Sequence, residues 1–226
     1  MDQDVCETCL KPQALCVCSI VEPIETKTKV LILQHPQEPD KQLGSVPILK
    51  LALPNSVLKV GLSWRNLAHA LGTEADPKEW MVLYLGSSKA KPTGSGPLIL
   101  VDKNGEVPEG MDTSLKNIKG IVVLDGTWSQ AKTLWWRNAW LLKLRRAVLA
   151  PERPSLYGRL RKEPRRESVS TLESTALALG VLEKNSEIFP KLTAPFKELL
   201  VRAQAAGFSK PKKKDYRRRY TGRKRG

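Results

Sequence analysis

The sequence predicts an α/β domain, a mostly parallel sheet with helices on both faces, preceded by a small four-cysteine knuckle. Two observations carry the sheet. Short apolar runs alternate with stretches whose apolar residues recur at spacings of three and four, the pattern of βαβ units. Most of the runs are apolar at successive positions, as strands covered on both faces require. A third observation carries the knuckle: all four cysteines of the 226-residue chain fall in Cys6-x2-Cys9-x6-Cys16-x-Cys18.

Residues 1–22 are therefore read as the knuckle, residues 23–208 as the main domain and residues 209–226 as a basic, disordered tail. Four thiolates complete a tetrahedral shell of the closed kind found in structural zinc sites. Zinc is the expected ion, with an iron–sulfur cluster or redox thiols as the alternatives. The segment is too short to fold by itself, so the metal would supply its folding energy.

After a linker at Pro23, Val30-Leu31-Ile32-Leu33 is the first strand, and Pro36 stops its pairing. Residues 43–52 have helical composition. Val57-Leu58-Lys59-Val60 is a second strand, residues 64–71 a short helix, and Asp76-Pro77 closes the loop after it. Met81-Val82-Leu83-Tyr84-Leu85 is a third strand, residues 86–97 a Gly/Pro-rich loop, and Leu98-Ile99-Leu100-Val101 a fourth strand. Residues 121–124 are a fifth. A helix over about 129–142 follows, with Trp128, Ala131, Trp135 and Leu142 near one stripe. Trp135, Trp136 and Trp140 are expected to pack this helix on the sheet, and Trp64 and Trp80 to be core or edge residues. Ala147-Val148-Leu149 is a sixth strand. A long loop over 151–168 leads to the capping box Ser170-x-x-Glu173, which opens a helix through about Glu183. Leu192, Phe196, Leu199, Leu200 and Ala203 mark a final amphipathic helix.

The net charge is +15, and it is concentrated. Residues 209–226 hold ten Lys/Arg and one acid, and residues 137–166 hold ten Lys/Arg and two acids. Such clustering points to a polyanion, most often a phosphate backbone, against the plainer reading of a solvated face and a solubilising tail. No apolar run approaches the ~20 residues of a membrane span, and the acidic start Met1-Asp2-Gln3-Asp4 lacks a signal-peptide core. The expectation is a cytoplasmic protein, or a nuclear one if the tail serves as a localisation signal, with its oligomeric state open. Lys91-Pro92-Thr93-Gly94-Ser95-Gly96-Pro97 lacks the Gly-Lys-Ser/Thr of a P-loop, and no dinucleotide fingerprint is present.

The chemistry gathers at Leu124-Asp125-Gly126-Thr127-Trp128. It sets an acid and an indole at the carboxyl end of a strand, where open α/β sheets bind ligands. Asp125 alone would suit a helix cap. As a catalyst it would serve as a general base or hold an ammonium group. Gln34-His35-Pro36-Gln37-Glu38 ends the first strand and would rim the same cleft, with His35 more often structural than catalytic in such a place. Pro154-Ser155-Leu156-Tyr157-Gly158 and Ser170-Thr171-Leu172-Glu173 offer hydroxyls and backbone amides that would suit an adenosine or, equally, a cap and a solvated loop.

Asp125-Gly126-Thr127-Trp128, together with the cysteine cluster before it and Ser170-Thr171-Leu172-Glu173 after it, resembles the DTW-domain family over about residues 6–206. The resemblance implies transfer of the 3-amino-3-carboxypropyl group of S-adenosylmethionine to N3 of a uridine in tRNA. It implies a SPOUT-like domain with a C-terminal trefoil knot, which no periodicity shows. By resemblance Asp125 is the catalytic residue. Leu124, Thr127, Trp128, Pro154, Ser155, Tyr157, Ser170, Thr171 and Glu173 then form the cofactor pocket. Trp128 would wall the aminocarboxypropyl chain or face the sulfonium. Arg159, Arg161, Lys162, Arg165 and Arg166 would face tRNA phosphates, and Cys6, Cys9, Cys16 and Cys18 would hold structural zinc. A methyltransferase of similar fold and a zinc-containing RNA-binding or ribosome factor without catalysis are the competing readings.

Overall fold

The computed structural model describes residues 4–83, 98–102, 104–107, 115–149, 151, 153–158, 160 and 169–208. The strands are β1 (Lys29–Gln34), β2 (Ser56–Val60), β3 (Trp80–Leu83), β4 (Leu98–Val101), β5 (Gly120–Asp125) and β6 (Arg145–Leu149). They form one sheet in the order β2-β1-β5-β3-β6-β4. All pairings are parallel except β4 with β6. The helices are α1 (Val46–Ala52), α2 (Leu67–Leu71), α3 (Trp128–Arg137), α4 (Thr171–Leu182) and α5 (Ile188–Ala205). The expected mixed α/β, mostly parallel architecture is what the structure has.

Strand periodicity divides the core. Val30 and Ile32 of β1 and Ile121 and Val123 of β5 pack under α1, α4 and α5. Leu31, Leu33, Val122 and Leu124 pack on the opposite face, with α2 and α3. Direction of travel sorts the helices. The β1–α1–β2 unit steps one way along the sheet, while β2–α2–β3 and β5–α3–β6 step the other way. Right-handed crossovers of opposite direction must cover opposite faces, and they do so here.

Gly120 opens β5 because Trp80, its partner across β3, lies on it: a Cβ there would stand 2.5 Å from the indole. Trp80 is thus a core residue, 3% exposed. The sequence left this contact unread, because register, not composition, creates it.

The helix after β5 departs from expectation. It ends at Arg137, and a 3-10 turn over Ala139–Lys143 replaces its predicted last turn. Asn138 is the cause. Its buried amide nitrogen donates to the carbonyls of Leu134 (2.7 Å) and Leu62 (3.0 Å). Its oxygen accepts from the Trp64 backbone N–H (2.8 Å) and Trp140 Nε1 (3.2 Å). Breaking the helix there changes which residues face inward. Ala131, Leu134, Trp140 and Leu141 are buried, whereas Leu142 is 54% exposed. Trp140 packs inward and Trp135 is partly buried against the same core. Trp136, expected to pack on the sheet, is instead 79% exposed.

Asn138→Ala leaves the Trp64 N–H without its acceptor and the Leu62 and Leu134 carbonyls without their side-chain donor, while the Trp140 indole N–H keeps the Trp64 carbonyl at 3.0 Å. The expected loss is about 2–4 kcal/mol of stability, read from the urea midpoint. A shift worth less than about 0.5 kcal/mol, the level of ordinary surface substitutions, would contradict this account of the helix end.

Candidate active site

The connection leaving β1 goes to β2 and the one leaving β5 goes the opposite way to β6. Between these neighbouring strands the topology reverses, and the crevice outside their carboxyl ends is the position at which open α/β sheets take ligands. Gln34 and Asp125, the last residues of the two strands, stand opposite each other in the parallel register. By alternation from Ile121 and Val123, Asp125 faces the layer that contains α4.

Asp125 is 8% exposed, so its carboxylate needs partners. Oδ2 accepts from Gln34 Nε2 at 2.9 Å and Oδ1 from Thr171 Oγ1 at 2.6 Å. Its backbone carbonyl accepts the His35 N–H at 3.0 Å. A carboxylate offers about four acceptor sites, so two bonds orient the group and leave capacity for another donor. Gln34 is the site residue that sequence reasoning missed. Its signal was its place in the strand-end segment 34–38, whose titratable His35 instead accepts the Gln37 N–H on Nδ1 at 3.2 Å within its own turn.

Thr171 reaches Asp125 because α4 starts there. Ser170 caps the helix with a full capping box: its Oγ accepts the Glu173 N–H at 3.1 Å, and Glu173 Oε2 accepts the Ser170 N–H at 3.0 Å. Glu173 also accepts from Ser155 Oγ (3.0 Å) and the Leu156 N–H (2.8 Å), so one carboxylate clamps the loop at 153–158 to the helix. Tyr157 lies in the core, edge-on to Phe196 at 5.1 Å, with its hydroxyl donating to the Leu43 carbonyl at 3.0 Å. Ser155, Tyr157, Ser170 and Glu173 are thus buried and engaged with the protein, while Pro154 is exposed.

On the other layer, Thr127 caps α3 in a second capping box with Gln130. Gly126 fits because a Cβ would come within 2.8 Å of the Gln130 side chain. Gln130 Nε2 donates to Gln37 Oε1 at 3.1 Å, joining α3 to the loop after β1. Trp128 is half-buried at the first position of α3, with the Lys132 ammonium 5.6 Å from its ring centroid. The Leu124 side chain packs in the α3 layer, opposite Asp125. Arg159, Arg161, Lys162, Arg165 and Arg166, the glycine-rich loop and the basic tail all lie outside the described residues.

The cysteines form a second constellation. Their four Sγ atoms lie within 4.8 Å of one another, with Cys6 and Cys18 at 3.9 Å. A tetrahedral shell with zinc–sulfur bonds of ~2.3 Å has sulfurs about 3.8 Å apart, so the cluster fits a metal ion. Amide hydrogen bonds from Cys9 and Thr8 pull the Cys6 thiol down to about 6, while burial pushes Cys9 and Cys18 up. The shell is tied to the main core through buried Leu15 and Val17 and through Arg202, which donates to the Cys16 carbonyl. Lys11 is 3% exposed and donates to the Gln42 carbonyl at 2.6 Å, pinning the loop that follows β1. Burial lowers the Lys11 ammonium from its ordinary value, and the Cys9 and Cys18 sulfurs oppose that.

The DTW domain family matches residues 3–204. The chain is 33% identical over 198 residues to tRNA-uridine aminocarboxypropyltransferase 2 of Macaca fascicularis, covering 86% of this chain and 61% of that protein. It is 32% identical to the Mus musculus protein of the same name, with the same coverage. To tRNA-uridine aminocarboxypropyltransferase A of Arabidopsis thaliana it is 27% identical, over 88% of this chain and 80% of that one. The chain thus spans about three fifths of the length of the two mammalian relatives. No solved structure matches it. No helix among the described residues is long and apolar enough to cross a membrane.

Two outcomes follow from this geometry. Glu173→Ala leaves the Ser170 and Leu156 amides short of an acceptor; it should cost about 2–4 kcal/mol and speed proteolysis within 153–158. Metal binding must displace protons from Cys9 and Cys18, whose affinities for them are raised, so zinc affinity should rise with pH between about 6.5 and 8.5. Competition with a chromophoric chelator measures this, and a flat profile would refute it.

Proposed function

The chain belongs to the DTW-domain family, and from that membership we propose that it transfers the 3-amino-3-carboxypropyl group of S-adenosylmethionine to N3 of a uridine in tRNA. The relatives' names supply the group, the uridine and the RNA. The observation in this chain that carries the reading is the Asp125 carboxylate, oriented by Gln34 and Thr171 at the point where the sheet topology reverses.

S-adenosylmethionine supplies an electrophilic carbon attached to a sulfonium, whose neutral thioether keeps the electron pair of the broken carbon–sulfur bond. Asp125 takes the imide proton from N3 as the nitrogen–carbon bond forms, a general-base role. Gln34 and Thr171 keep the carboxylate in a single orientation, which such a transfer requires. The donor set suits the substrate: a carboxylate, an indole, and two helix starts converging on one crevice. Thr127, Trp128, Pro154 and Thr171 are exposed or half-buried at that edge and would touch the donor. Ser155, Tyr157, Ser170 and Glu173 would shape its wall through the loop clamp, and Leu124 would contribute its backbone. Trp128 already has a lysine cation at its ring, which fits a face suited to positive charge.

Structural zinc on Cys6, Cys9, Cys16 and Cys18 belongs to the same reading, as do tRNA phosphate contacts by Arg159, Arg161, Lys162, Arg165 and Arg166. So do the division at residues 22 and 208 and a cytoplasmic or nuclear site of action. The SPOUT-like, knotted class is the finer fold proposal, supported by the return of α4 to the carboxyl end of β5.

The test is direct. The full chain is incubated with unmodified tRNA and S-adenosylmethionine, and the RNA is digested to nucleosides for mass spectrometry. An aminocarboxypropyl group on uridine is expected; an added methyl, or no change across a full tRNA pool, would overturn the proposal. Asp125→Ala should keep tRNA affinity and lose transfer by about 10²–10⁴-fold. Thr171→Val should lower the transfer rate about tenfold or more through misorientation, with Thr171→Ser restoring it. Unchanged rates in both alanine and valine variants would exclude this assignment of the base.

A further inference from the structure

We propose that the outer side of α3 and the turn after it form an RNA contact surface on which an unpaired base stacks against Trp136, flanked by Lys132, Arg137 and Lys143. The identification of the RNA as tRNA rests on the function proposed above; the surface itself rests on the following observations.

Trp136 is 79% exposed, the most exposed of the large apolar side chains among the described residues. Neither a core role nor the Asp125 site uses it. Ser129, Lys132 and Trp136 follow one another at spacings of three and four, so they share the side of α3 away from buried Ala131 and Leu134, and exposed Arg137 is the last residue of the helix. Lys132 and Trp136, four apart, are neighbours on that side. Exposed Leu142 and Lys143 extend the surface along the 3-10 turn.

Charge selects the partner. From residue 126 to 151 the chain carries no Asp or Glu, and it carries Lys132, Arg137, Lys143, Arg145 and Arg146. The cores of protein–protein interfaces are depleted of lysine. An indole in a stretch of chain that carries cations and no acid is instead the arrangement that holds a nucleobase by stacking and its phosphates by charge. Folded RNA offers such bases in its loops, where they are unstacked and open to aromatic side chains. The surface is also continuous with the candidate site. At ~1.5 Å of rise per residue, Trp136 lies about 12 Å along the helix from Trp128, within the span of one bound RNA.

The test uses the full chain and an unmodified tRNA pool, with dissociation constants measured at several salt concentrations. Trp136→Ala should weaken binding about 5- to 100-fold, the effect of losing one base–indole stack, with the salt dependence unchanged. Trp136→Phe should retain most of the affinity. Lys132→Ala, Arg137→Ala and Lys143→Ala combined should weaken binding and reduce the slope of log affinity against log salt by about two to three. Because these side chains are exposed, melting temperatures should stay close to wild type. Wild-type affinity in Trp136→Ala overturns the proposal. So does a wild-type self-association that Trp136→Ala abolishes while RNA affinity is unchanged, which would make this face a protein interface. Nucleoside analysis of the same samples separates the two readings. Binding that depends on Trp136 without uridine modification sinks the transferase reading alone; modification with Trp136-independent binding sinks this surface alone.

Discussion

The Asp125 carboxylate accepts from Gln34 at the end of β1 and from Thr171 at the start of α4, residues 91 and 46 positions away in the chain. A carboxylate this deeply buried requires donors, and those available lie on the neighbouring strand and on the helix that returns to the sheet's edge. The bonds that satisfy the buried charge also orient it. Stability and positioning at this point are therefore one property.

The rest of the carboxyl edge is organised around that bond pair. Both helices that start there carry a complete capping box, which satisfies the amide of the cap residue and one first-turn amide and leaves the other first-turn amides at the edge. A ligand in the crevice between β1 and β5 would meet these helix starts and the side chains lining it. The two layers divide the work. The α4 layer holds the acid and the clamped loop at 153–158. The α3 layer carries the indole of Trp128 and, on its outer side, Trp136 with its cations.

The cysteine segment is joined to this arrangement through the loop after β1. Lys11 donates to Gln42, Tyr157 donates to Leu43, and Gln130 reaches Gln37. One loop is thus held from the cysteine segment, from the 153–158 loop and from α3. The cysteine cluster thereby bears on the position of the chain that follows β1.

Local pattern was enough for several features. Apolar runs marked all six strands, the Ser170-x-x-Glu173 capping box marked α4, the period-three-and-four stripe marked α5, and the spacing of the cysteines marked their cluster. The Asp-Gly-Thr-Trp turn marked the carboxyl end of β5. These depend on neighbours within a few residues, where composition and spacing carry the physics. Gln34 as the partner of Asp125, Gly120 under Trp80, the helix end at Asn138 and the exposure of Trp136 were not legible. Each depends on register or on contacts between residues far apart in sequence. Asn138 shows why: a side chain that would suit any turn stops a helix here only because Leu62, Trp64 and Trp140 present their polar groups to it. Sequence by itself determined the apolar runs, the cysteine cluster and the turn that ends β5; the tertiary structure decided which residues face one another, because strand order and parity are settled by packing across the whole sheet.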